Sequence, residues 1–146
     1  MCDILFFTEE IDFVFSNPTE TAAWLKSVIR REGGILSHLN FIFCADHYLH
    51  AKNLQYLRHD TWTDVLAFSH AENTDTVEGD IYISVDHIRA NAKRWKQSFI
   101  QELHTVMVHG VLHLLGYEDK TTTGKAKMRL LEAQYVTEMA ANARQV

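Results

Sequence analysis

The chain has 146 residues, of which 47% are hydrophobic, and a formal charge of -5. That is enough apolar material for one domain with a real core, and the acidic balance excludes a protein coated in positive charge for non-specific nucleic-acid binding, so any RNA contact must be local. No apolar run of 18 or more residues is present to span a membrane, and the opening "MCDILFFTEE" lacks the basic start of a signal peptide, which implies a cytoplasmic protein with no membrane partner. With only Cys2 and Cys44, the second inside "FIFCAD", a disulfide framework is not expected and both thiols read as reduced and structural.

One proline and the absence of repeats or low-complexity stretches place residues 1–146 in a single domain. In chain order, "DILFF" and "IDFVF" read as two short strands around the polar turn "TEE". "NPTETAAWLKSVIRREGG" reads as a helix with Asn17 as N-cap, Pro18 in the first turn, Glu20 at capping-box spacing and Gly33-Gly34 as the stop. "LNFIFCA" has the apolar density of a buried strand, and "DHYLHAKNLQYL" restores helical spacing through Tyr48, Leu49, Leu54 and Leu57.

"TDVLAFS" and "GDIYISV" predict two more strands, joined by the polar loop "HAENTDTVE". From Asp86 the pattern turns helical: "DHIRANAKRWKQ", then "SFIQELHTVMVHGVLHLLG" with Ser98 and Gln101 at cap spacing and Gly116 as its stop, then a last helix from Thr122 or Thr123. Strands and helices do not alternate simply. The expectation is therefore an α+β domain, a small mixed sheet of about four strands packed with four to five helices.

The chemistry concentrates in "HGVLHLLGYEDK". Residues four apart on a helix share a face, so His109 and His113 can aim two imidazole nitrogens at one point. The pair alone says little in a chain with nine histidines. Its continuation says more: Gly116 permits a left-handed exit that folds the chain back, bringing Asp119 toward the histidine face, with Glu118 as a competing donor. Two imidazoles and a carboxylate make a zinc set with a free fourth position, the catalytic pattern, at the C-terminal end of the helix. In H-E-x-x-H proteases the residue after the first histidine is the general base; here it is Gly110, which serves either close packing or close approach of substrate.

"HGVLHLLGYED" resembles the H-G-x-L-H-L-x-G-Y-D-H signature of the YbeY family of bacterial endoribonucleases. "NLQYLRHDTWTDVLAF" is similar to that family's N-x-x-Y-R-x-x-D-x-P-T-D-V-L-S-F block, and "GDIYIS" to its G-D-I-x-I-S strand. The resemblance implies one zinc ion per chain, cleavage of single-stranded RNA, a role in ribosomal RNA maturation at the 3′ end of the small-subunit RNA, and a part in ribosome quality control, with the ribosome or its small-subunit proteins as partners.

The departures are specific. The third metal histidine falls on Asp119. The arginine after N-x-x-Y falls on Leu57, with Arg58 one place later and rotated by about 100° if the segment is helical. Arg58 is the candidate catalytic cation on phosphate. Trp62 stands where the family has proline, either as a base-stacking platform or as a core or sheet-edge residue. Basic residues cluster in "RANAKRWKQ" and, beside the site, as Lys120, Lys125, Lys127 and Arg129, the candidate RNA contacts. Two other readings remain: a metal-dependent hydrolase of another substrate, and a non-catalytic ribosome-associated module whose metal pins the helix end.

Overall fold

The computed structural model describes residues 3–144. Its elements in order are β1 (Asp3–Glu9), α1 (Pro18–Arg31), β2 (Ile35–Cys44), α2 (Asp46–Lys52) continuing into a π-helical turn (Asn53–Leu57), β3 (Val65–Ser69), β4 (Thr76–Ser84), α3 (Val85–Trp95), α4 (Phe99–Leu114) and α5 (Thr122–Arg144). The sheet order is β1-β2-β4-β3. β1, β2 and β4 run parallel, and β3 closes the far edge antiparallel to β4. This is the expected mixed four-stranded α+β fold with five helices.

Side-chain alternation explains why the sheet stands where it does. Along β4, Val77, Ile81 and Ile83 are fully buried on one face while Glu78, Asp80 and Tyr82 take the other, the period of two that a strand imposes. Leu39, Phe41 and Phe43 of β2 join them in the main core. α4 lies across this face and is buried nearly all round, through Leu103, Val106, Met107, Val108 and Val111, which makes it the central helix. Gly110 is its contact point with the sheet: a Cβ there would sit 3.0 Å from Ile81 Cδ1 and Cγ2. Of the two reasons for a glycine at this position, close packing is the one the structure supplies.

Two expectations need correction, and one that holds, Asn17 at the N-cap, does so without the usual side-chain bond. "IDFVF" forms no strand. Its inward residues Ile11, Phe13 and Phe15 do alternate, and they pack on the core, with Phe13 and Phe15 against Phe43 at ring-centroid distances of 5.3 and 4.9 Å. Apolar alternation reports which side faces the core, not whether the backbone finds a partner strand. Asn17 occupies the N-cap of α1 in a left-handed conformation, φ 61°, without a side-chain cap bond; Thr21 Oγ1 instead donates to the Asn17 carbonyl at 2.8 Å. The helix from Asp46 widens into a π turn before it stops, with Arg58 left-handed at its end. Cys44 is a free, fully buried thiol, whereas Cys2 lies outside the described residues.

Both glycine stops hold. At Gly33 and Gly116 the backbone is left-handed, φ 81° and 101°, a region open to glycine at little cost. After α4 the Gly116 amide donates to the His113 carbonyl and the Tyr117 amide to that of Leu112, each at 3.0 Å, the paired bonds of a Schellman motif. The exit direction of the chain is thereby set.

Candidate metal centre

That exit brings three donors together. On α4, His109 Nε2 and His113 Nε2 lie 2.9 Å apart, and Asp119 Oδ2 sits 3.6 Å from the first and 3.7 Å from the second. A tetrahedral ion with bonds of about 2.0–2.1 Å spaces its ligand atoms by about 3.3–3.4 Å. The triangle therefore fits one zinc ion, and three donors leave a position for water or substrate. Glu118 lines the cleft but its carboxylate is not in the cluster; among the described residues the group that can hold a metal is His109, His113 and Asp119.

The set is oriented from behind by a residue that the local pattern around the histidines did not reveal. Glu132 of α5 accepts from His109 Nδ1 at 2.6 Å, which holds the tautomer whose Nε2 lone pair faces the other donors. Its sequence signal is an acid on a buried stripe: Glu132 lies among Met128, Tyr135, Val136 and Met139, the inward positions of α5. Such an acid requires a partner.

The two histidines are pushed apart electrostatically. Burial works to lower the pKa of His109, but the hydrogen bond and charge of Glu132, with Asp119 and Asp64 behind it, outweigh burial and raise it. His113 goes the other way, lowered first by burial and then by the charge of His109. Further along the same face of α4, Glu102 is buried and its carboxyl raised by desolvation; Asn91 bridges it to Asp64 with contacts of 3.4 Å to each.

The donors open on a cleft of 560 Å³ lined by Thr63, Asp64 and Val65 on one side and by His109, His113 and the turn from Gly116 to Lys120 on the other. Lys120 thus meets the site. Lys125 and Arg129 line an adjoining hollow of 230 Å³ that shares His109 and Asp119. Lys127 sits over the Tyr117 ring, 5.3 Å from its centroid. Arg58 is exposed and does not line the cleft. Tyr117 and Tyr135 both donate to the Glu32 carboxylate, tying the turn and α5 to the end of α1.

A mixed sheet under a central helix, with an open zinc site at that helix's C-terminal exit, defines an α+β protein of metal-site class. The chain belongs to the family described as endoribonuclease YbeY, which it matches over residues 8–140. It is 49% identical over 134 residues to the endoribonuclease YbeY of Amoebophilus asiaticus, covering 92% of this chain and 91% of the relative. With that of Cytophaga hutchinsonii it shares 40% identity over 129 residues, covering 88% and 90%. The solution structure of TM1509 from Thermotoga maritima superimposes with a TM-score of 0.69 at 26% identity, covering 98% of this chain and 93% of that one. No helix among the described residues is long and apolar enough to cross a membrane.

Proposed function

We propose that this protein is a zinc-dependent endoribonuclease that cuts single-stranded RNA in the cytoplasm, acting as one domain on ribosomal RNA at the 3′ end of the small-subunit RNA and in ribosome quality control. The observation that carries the reading is the three-donor site of His109, His113 and Asp119 opening on a cleft, in a chain whose relatives are named endoribonucleases. A zinc ion held there supplies, when bound, a water of lowered pKa and a Lewis acid for a phosphoryl oxygen.

The chain's own groups do the rest. Glu132 keeps His109 turned inward. Lys120, Lys125 and Arg129, flanking the donors, attract the phosphate backbone, and Lys127 adds charge from the same helix. Arg58, outside the cleft lining, neutralises charge on a phosphate of the bound strand. Gly110 packs on Ile81 where zinc proteases of the H-E-x-x-H type carry their base, which weighs against peptide hydrolysis.

The test is cleavage of single-stranded RNA, duplex RNA and casein in parallel by zinc-loaded wild type and Asp119→Ala. Cutting of the single strand that stops with a chelator and falls at least about 100-fold in the variant is expected. RNA that survives intact under metal-replete conditions overturns the reading in favour of a ribosome-associated module. Unchanged cleavage by Arg58→Ala removes that residue's role.

A further inference from the structure

We infer that Trp62 and His50 form a stacking site for one unpaired nucleobase of the RNA strand entering the metal cleft; this rests on RNA being the substrate. The two rings are stacked at 4.0 Å between centroids and 7° between planes, yet Trp62 remains 54% exposed. One indole face is covered by imidazole, and more than half of the residue remains accessible to a further ring. A core tryptophan does not look like this: Trp24 is 6% exposed with its indole N–H on the Tyr135 carbonyl.

Hydrogen bonds fasten both partners of the stack. His50 Nε2 is 2.8 Å from Asp60 Oδ1, and the loop carrying Trp62 is fastened by Asn53, whose buried side chain donates to Thr61 O at 3.0 Å and Thr61 Oγ1 at 3.1 Å. The His59 amide returns to the Asn53 carbonyl at 3.3 Å. A ring already stacked loses less entropy on binding than a free one.

Position supplies the ligand. Trp62 is followed by Thr63 and Asp64, which line the cleft that holds His109, His113 and Asp119. Two peptide units span at most about 7.6 Å between Cα atoms, so the Trp62 backbone is held within that distance of a residue lining the cleft. Asp60 is taken up by His50, so the uncharged indole suits a neutral base, while Arg58 in the same segment is the group for a neighbouring phosphate. Stacking needs no hydrogen-bond match, so any of the four bases fits.

The test uses a 2′-O-methylated single-stranded oligonucleotide, bound by wild type, Trp62→Ala and Trp62→Phe. Loss of one stacked base corresponds to about 5- to 140-fold weaker binding. That loss is expected in the alanine variant, with most of the affinity retained by phenylalanine. Single abasic positions walked along the strand should weaken wild type at one register and leave Trp62→Ala indifferent there, a coupling that a merely structural role would not produce. In a Trp95→Phe background, the exposed indole should be quenched on binding. Equal affinity of Trp62→Ala without coupling overturns the stacking site. If wild type cuts RNA and Trp62→Ala is unchanged, the stack alone fails; if wild type neither binds nor cuts RNA, both readings fail.

Discussion

Glu132→Gln removes one charge and no volume from the carboxylate behind the metal donors. That carboxylate lies 2.6 Å from His109 Nδ1, with side-chain exposures of 13% and 24%, so water does not substitute readily for it. A glutamine accepts the same proton only as a neutral group. Its amide can also donate to Nδ1, which selects the tautomer with Nε2–H and withdraws that nitrogen as a ligand. Loss of an outer carboxylate of this kind costs about 10- to 100-fold in metal affinity, or about 1.4–2.7 kcal/mol. Glu132 also raises the His109 pKa, so its removal slightly eases proton competition; measuring at pH 8 minimises that opposing effect. The assay is competition for zinc against a chromophoric chelator, with thermal unfolding in excess chelator as the control for folding. Affinity within about threefold of wild type would refute the claim that Glu132 orients His109.

Gly124 tests how the third ligand is placed. A Cβ there would stand 2.4 Å from the Glu118 carbonyl oxygen, so Gly124→Ala should shift the backbone just before Asp119 and lower zinc affinity without touching a ligand; unchanged affinity by the same competition assay would show the turn to be set elsewhere. His104 predicts a pH dependence. Burial pushes its pKa down to about 4, from about 6.5 unfolded, as it packs on Trp24. Below pH 6.5 the unfolded chain takes up a proton that the folded one refuses, so this residue's share of stability falls progressively as pH drops toward 4, by up to about 3 kcal/mol. Denaturant unfolding of wild type and His104→Phe in excess chelator, from pH 7.5 to 4.5, should show the variant losing less stability; parallel profiles would refute the cause.

The metal donors were legible because they lie within eleven residues of one another. Helix geometry puts His109 and His113 on one face, and Gly116 enters at little cost the left-handed turn that sends Asp119 back. The same locality made the helix stops at Gly33 and Gly116, the cap at Ser98 and the strands of "TDVLAFS" and "GDIYISV" readable. Glu32, Glu102 and Glu132 were not assigned in this way. Each is an acid whose partner lies on another element, Tyr117 and Tyr135 for the first, Asn91 for the second and His109 for the third.

Sequence by itself determined which side of each element faces the core and which residues neighbour one another along a helix, since periodicity is a property of one segment. Tertiary structure alone decided that "IDFVF" covers the sheet without joining it, that Gly110 meets Ile81, that Trp62 stacks on His50, and that Glu132 reaches His109 across 23 positions. Those outcomes depend on how separate segments pack against each other, and the free energy of such contacts exists only once the chain has brought the partners together.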